Sequence, residues 1–311
     1  MNLNRIKNKW TAFSSSSKGK LTFKWLRRSF IVGIIAFLVW QIVQIGWQEV
    51  LKSLPTTPWF YVIFLILYFA LPISEQFIYR MSLNFTFWEG LKIFIQKKVL
   101  NADVLGYSGE AYFYVWGKQH LEEDDKYIFN IIKDNNIISS FASTLLAIIL
   151  LTLFISVSEV DFLEVIKVST NVVIGVLTTA ILVIFLGIYF RKYIISMNRN
   201  MALKIFGVHI FRIIFVYTLE ILQWMVVLPL VPLHIWFVFL SARIIASRLP
   251  FIPSQDLLFV SISLEMSKYM DVSGAAIAGI MIANNFLTKS MNLVLYSYFS
   301  GKQHKKPQMN K

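Results

Sequence analysis

Cysteine is absent from the 311-residue chain, which excludes a disulfide framework, thiolate zinc sites, iron–sulfur clusters and a cysteine nucleophile. Charge is scarce as well: Asp, Glu, Lys and Arg make up 15% of the residues, against about 25% in a soluble globular chain. Acids are the scarcer sign, 17 against 30 Lys and Arg, for a formal net charge of +13. The four histidines, His120, His209, His234 and His304, form no His-x-x-x-His pair, so a histidine-based metal hydrolase has no footing. No glycine-rich phosphate loop follows a strand pattern and no Gly-x-Ser-x-Gly elbow occurs. The two separated aspartate-rich motifs of a membrane prenyltransferase are missing. The acidic cluster Glu122-Glu123-Asp124-Asp125 reads as a solvated loop, because contiguous carboxylates do not share one helix face. No metal or cofactor site is expected.

Apolar residues fill the gap. They make up 57% of the chain, and the mean hydropathy is +0.62, above the roughly 45–50% apolar share of a soluble fold. They fall into long runs with basic residues between them, so the positive charge points to a membrane and not to nucleic acid. A bilayer core about 30 Å thick needs on the order of 20 apolar residues per helix. Six segments meet that length: 29–48, 58–79, 136–158, 169–190, 205–228 and 275–299. Two shorter stretches, 233–249 and 257–270, flank the breaker run Pro250-Phe251-Ile252-Pro253-Ser254. A further region, 83–120, is half apolar, carries Lys92, Lys97 and Lys98, and contains Gly106 and Gly109. The expectation is an all-α polytopic membrane helix bundle of six to eight transmembrane helices with two broken or re-entrant segments. A single transmembrane domain, 29–299, would lie between basic cytoplasmic tails, 1–28 and 300–311. Breaks near 101–120 and 250–256 suggest an internal repeat within it.

Orientation follows Lys and Arg. Residues 1–28 hold eight basic residues and no acid, the loop around Glu159, Asp161 and Glu164 is net acidic, and the loop with Arg191, Lys192, Arg199 and Lys204 is basic again. Both termini are therefore expected in the cytoplasm of a bacterial inner-membrane protein. The first apolar run has no small-residue cleavage site behind it and reads as a retained anchor. Leu3, Ile6, Trp10 and Phe13 recur at helical spacing among lysines, as in a helix on an anionic membrane surface; a flexible basic tail is the other reading.

Ionisable groups inside spans cost roughly 2.5–3.5 kcal/mol at the helix centre, so each is a candidate by default. They are Glu75, Arg212, Glu220 and Lys289, the last close to Asn284 and Asn285, with Arg243, Arg248 and Glu265 in the short stretches. Arg212 and Arg248, near segment ends, read as structural or snorkelling groups. Glu220 and Lys289 lie too deep to snorkel and are expected to form a buried functional pair.

The most informative local features are two breaks with an acid in each, Gly106-Tyr107-Ser108-Gly109-Glu110 and Pro250 through Asp256. At one fixed offset Lys97 meets Arg243, Ser108 meets Ser254, Glu110 meets Asp256 and Phe113 meets Phe259. Paired broken helices in the two halves of a chain point to a transporter's binding site. Glu110 and Asp256 would then lie in protein-lined polar cavities.

At these breaks the chain resembles the transmembrane domain of lysylphosphatidylglycerol synthases and the large bacterial flippase-like family around it, some members of which are linked to hopanoid biosynthesis. The first family signature is an asparagine-to-proline stretch followed by Gly-Glu before a helix. Asn101 through Glu110 resembles it, most closely at Gly109-Glu110. Leu249-Pro250-Phe251-Ile252-Pro253 resembles the opening of the second signature, and 275–295 resembles the span after it. Ser254-Gln255-Asp256 stands in place of the family's Gly-rich turn, Val260 in place of a glutamate, and no arginine follows Gly109-Glu110. Span order carries the resemblance over roughly 29–299. No hydrophilic domain is read after Phe299, so the aminoacyl-transferring domain of the bifunctional synthases is not expected here. The resemblance implies lipid translocation or an accessory role in a lipid pathway, and not lysyl transfer.

The leading expectation is a lipid flippase or transporter, not an enzyme, whose polar groups hold the anionic head group of a membrane lipid. Its candidate residues are Glu110, Arg243, Arg248, Asp256, Glu220, Lys289, Asn284 and Asn285. Arg243, Arg248 and Lys289 would contact phosphate, while Glu110 and Glu220 would position basic partners or carry a coupling proton. The alternatives are a non-catalytic accessory protein working beside lipid-biosynthesis enzymes, and a membrane transferase acting on polyprenyl or glycolipid substrates.

Overall fold

The computed structural model describes residues 47–104, 106–157, 194–248 and 255–303, together with single residues between 36 and 43 and between 175 and 189. The expected spans 29–48 and 169–190 therefore lie almost wholly outside the described residues. So do the loop 159–164, Arg191 and Lys192, the breaker run 250–254, and the tails 1–28 and 304–311. The described residues are mostly helical, with no strand among them.

The helices are α1 (Trp47–Lys52), α2 (Pro58–Arg80), α3 (Phe87–Val99), a π-helical turn (Leu100–Val104), α4 (Ser108–His120) and α5 (Asp125–Val157), then α6 (Arg199–Met225), α7 (Leu233–Arg248), α8 (Gln255–Ser267) and α9 (Gly274–Gln303). Two of them, α2 with 23 residues and α6 with 27, are long and apolar enough to cross a membrane. The expected spans 136–158 and 275–299 fall within or nearly within α5 and α9, of 33 and 30 residues. Helices α3, α4 and α8 have 13 residues each and α7 has 16. At about 1.5 Å per residue none of these four spans about 30 Å of hydrocarbon.

From α2 onward the order is long, short, short, long, and from α6 onward it is the same again. The starts of α3 and α7, Phe87 and Leu233, are 146 residues apart, and the ends of α2 and α6, Arg80 and Met225, are 145 apart. These two boundaries lie at, or within one residue of, the offset that aligned the two breaks.

The described residues of Thr56–Ser241 and Asn284–Lys311 form one compact unit, and those of Met1–Pro55 and Ala242–Ala283 form another. In the first, α6 packs on α2 and α5, and the α3–α4 hairpin packs between α2 and α5. Helix α3 starts with a capping box, in which Glu89 N–H donates to Thr86 Oγ1 at 3.4 Å and Thr86 N–H donates to Glu89 Oε2 at 3.1 Å; such boxes satisfy orphan donors at a helix start. Gly90 then allows contact with α2, since a Cβ there would lie 2.1 Å from Gln76 Oε1. Aromatic rings cement the hairpin: Tyr79 stacks on Phe94 at 5.2 Å and meets Phe113 edge-on at 4.6 Å. Each such pair adds about 0.5–1.5 kcal/mol beyond area burial.

Helix α2 contains Pro72, which has no N–H to give the Tyr68 carbonyl one turn back. Lys98 of α3 supplies the missing donor, its ammonium reaching Tyr68 O at 2.6 Å and lying 3.5 Å from the centre of the Tyr68 ring. Backbone groups freed by proline inside a membrane helix require such a replacement.

Helix α6 begins at Arg199, six residues before the expected span, because Asn198 caps it through Met201 N–H at 2.8 Å. Arg212, read from sequence as lying near a segment end, is consequently the central residue of the 27. It sits about 20 Å from either helix end at 1.5 Å per residue.

Candidate functional site

The hairpin break builds a charged cluster. Asn101, in the π-helical turn, accepts the Gly109 N–H at 2.7 Å, and Ser108 Oγ donates to Leu100 O at 2.8 Å. Tyr107, at φ 67 and ψ 2, turns the chain between them. Together they press the start of α4 against the end of α3. A Cβ on Gly109 would lie 2.2 Å from the Lys97 carbonyl oxygen, so only glycine permits this approach.

The approach brings Glu110 Oε1 to 3.2 Å from the Lys97 ammonium, while Glu75 of α2 bonds the same ammonium directly from the other side. Lys97 is 2% exposed and Glu75 6%. Burial disfavours the Lys97 ammonium, and the two carboxylates on either side of it offset that cost. The outer oxygens, Glu75 Oε2 and Glu110 Oε2, are buried with no hydrogen-bond partner among the described residues. Buried polar groups left unpaired are costly, and each one in a native structure calls for a physical reason such as a catalytic role or a bound ion.

A second polar line reaches the cluster from α5 and α6. The Lys97 ammonium lies 5.6 Å from the centre of the Tyr79 ring, whose hydroxyl accepts from Asn135 Nδ2 at 3.0 Å. Asn135 Oδ1 bonds His209 Nε2 at 2.9 Å. An amide oxygen only accepts, so Nε2 carries the proton and Nδ1 is left as an acceptor in the neutral ring; Nδ1 is buried without a partner among the described residues. Arg212, three residues further along α6, lies within electrostatic reach of both His209 and Glu75.

The remaining candidates fall elsewhere. Lys289 does not pair with Glu220: its ammonium bonds Asp103 of the π-helical turn, and its side chain is 57% exposed. Asn292 Nδ2 donates to the other Asp103 oxygen at 2.7 Å, and Tyr68 hydroxyl donates to Asn292 Oδ1 at 2.7 Å. A helix with Asn292 and Lys289 on one face offers Asp103 two donors at once, which a pairing of single charges across spans misses. Glu220 is buried. Asn284 forms a reciprocal amide pair with Gln223 at 3.1 and 3.2 Å, and Gln223 also donates to Phe60 O at 3.1 Å; this is a brace within the bundle. Asn285 is half-buried beside it. Arg243 lies over the Phe259 ring at 5.5 Å. Asp256, expected in a protein-lined cavity, is exposed in the first turn of α8, where a carboxylate favours the helix dipole. The Arg248 side chain lies outside the described residues.

Glu110, Glu75 and Lys97 each stand out in the sequence, but nothing there joins them. Asn101 opens the stretch that resembles the first family signature, whereas Asp103, Asn135 and His209 carry no individual signal. An apolar cavity of about 420 Å³ also lies between α5, α6 and α7, lined by Leu146, Ile221 and Phe237 among others. At 100° per residue its α6 wall, including Ile214, Thr218 and Met225, is a different stripe from His209 and Arg212.

Comparison with protein-family models, with curated proteins and with solved structures gave no match to this chain.

Proposed function

We propose that the chain is a multi-pass protein of the bacterial cytoplasmic membrane, with six full spans and two re-entrant helix pairs, that moves or presents a polar membrane lipid. The observation that carries this reading is the buried Glu75–Lys97–Glu110 cluster at a break between two helices too short to span. Charged groups and broken backbone at membrane depth are tolerated where they are buried in protein or line a polar cavity, and there they mark substrate and ion paths. The recurrence of long, short, short and long helices at a 145–146 residue offset adds weight. With the spans 29–48 and 169–190, each half holds three full spans. An odd number turns the second half upside down relative to the first, which is the inverted-repeat plan of many transporters.

In this reading Glu110 is the mobile member of the cluster, because it sits on the hairpin and Lys97 keeps Glu75 when Glu110 leaves. The resemblance to the flippase-like family agrees with it through Gly109-Glu110. Reconstitution tests it: proteoliposomes holding the purified chain should move a head-group-labelled phospholipid between leaflets faster than protein-free vesicles. Equal rates would refute transport.

A further inference from the structure

The tip of the α3–α4 hairpin meets two long helices halfway along their length. Asp103 bonds Lys289 and Asn292 of α9, and Asn292 Oδ1 accepts from the Tyr68 hydroxyl of α2 at 2.7 Å. Lys98, near the end of α3, reaches the Tyr68 carbonyl. Tyr68 stands ten residues after Pro58 and twelve before Arg80, and Lys289 fifteen after Gly274 and fourteen before Gln303. At 1.5 Å per residue each lies about 15–23 Å from its helix ends. In the multi-pass reading α2 and α9 cross the bilayer, which puts the hairpin tip near the middle of the hydrocarbon. All of these contacts fall within one compact unit.

The tip is nevertheless exposed. Tyr107 is 72% exposed, and Ala102, Asp103 and Gly106 are exposed beside it. The Lys289 side chain is 57% exposed, and nothing lies within 4 Å of a Cβ on Gly106. Charged side chains and non-helical backbone at such depth are either buried in protein or line a water-filled cavity. Exposure excludes the first, which leaves water. Phe286 and Leu293 lie beside Lys289 on α9 and are each 70% exposed; being apolar, they mark where that water gives way to lipid.

We propose that a water-filled vestibule enters from the outer face of the membrane and ends at the hairpin tip, with the Asp103–Lys289 pair on its floor. This rests on the multi-pass reading above and not on lipid transport, and it names the side from which the break is reached. The side follows from the helix ends. Helices α2 and α4 end at Arg80 and His120, and α3 and α5 start at Phe87 and Asp125, so both arms of the hairpin leave from the face where α2 ends. Arg80, Lys118 and Lys126 lie at these ends, which marks that face as cytoplasmic; the acids between them count little toward orientation. The tip therefore points outward.

The test uses single cysteines in the full-length chain, which has none of its own. A cysteine reacts as its thiolate, and apolar surroundings suppress that form. A102C, Y107C, F211C and E122C are treated with an impermeant cationic methanethiosulfonate in right-side-out and in inverted membrane vesicles. Phe211 is the depth control, next to the central residue of α6 and 71% exposed. In right-side-out vesicles Y107C and A102C should react at least about tenfold faster than F211C, and E122C should react only in inverted ones. A102C carries the test if Y107C does not fold. Both tip cysteines as slow as F211C would overturn the vestibule, as would reaction from the inverted side alone. E122C labelled in right-side-out vesicles would overturn the orientation, and with it the outer entrance. The transport reading fails separately: tip cysteines that react as expected in a chain that moves no lipid would keep the vestibule and lose the transporter.

Discussion

The Lys97 ammonium lies between two carboxylates from different helices, bonded to Glu75 of α2 and 3.2 Å from Glu110 of α4. Removing it strands two buried negative charges. K97M should lower unfolding stability by about 3–5 kcal/mol, the usual loss when one partner of a buried pair is removed. The triple variant E75Q/K97M/E110Q should recover most of that loss, because no uncompensated charge remains. Thermal unfolding in detergent reads both, and a K97M chain as stable as wild type would show that the cluster is solvated.

Gly109 and Gly106 differ in what surrounds them. A Cβ on Gly109 would meet the Lys97 carbonyl oxygen at 2.2 Å, whereas nothing lies within 4 Å of one on Gly106. G109A should therefore cost about 1–3 kcal/mol through forced separation of α3 and α4, and G106A should change stability by less than about 0.5 kcal/mol. Equal melting temperatures for the two variants would contradict the close approach.

The proline in α2 and the lysine in α3 act on one carbonyl. K98M should destabilise by about 1–3 kcal/mol, the cost of a buried acceptor left unmade. In K98M/P72A the restored N–H at position 72 can bond Tyr68 O, so the double variant should be more stable than K98M alone. A double-mutant cycle in thermal unfolding measures the coupling, and additive effects would separate the two residues.

The absence of cysteine makes the Asp103 contact directly measurable. Cysteines introduced at Asp103 and Asn292 should cross-link with a short bifunctional maleimide, and cysteines at Glu220 and Lys289 should not. The reverse pattern would restore the pair expected from sequence. D103N should cost less than about 1 kcal/mol, since the Lys289 end of the contact is largely exposed.

The all-helical character, the short stretches 233–249 and 257–270, and the break at Gly106–Glu110 were legible because apolar run length and breaker residues report local structure directly. The bounds of α6 were less so: apolar residues start at 205, but the helix starts where Asn198 caps it, and that shift moves Arg212 from near an end to the centre. Pairings were least legible. Lys289 and Glu220 carry opposite charges in two apolar runs, yet Lys289 bonds Asp103, a residue in the break that no span contains. Partner choice depends on how helices rotate against each other, which hydrophobic periodicity leaves open when a helix is apolar on most faces. Gly109-Glu110 stands out as a pattern, but its physical reason is a tertiary one, a backbone contact between α3 and α4 that places the next carboxylate on Lys97.

The central claim is that Glu110 works at the break in moving lipid and does not merely hold the hairpin. Its most direct test is leaflet-to-leaflet transfer of head-group-labelled phosphatidylglycerol in proteoliposomes of wild type, E110Q and G106A. E110Q keeps the balanced Glu75–Lys97 pair and should fold, yet its transfer rate should fall about tenfold or more, a barrier change of about 1.4 kcal/mol, while G106A should match wild type. A folded E110Q that transfers lipid as fast as wild type would contradict the account.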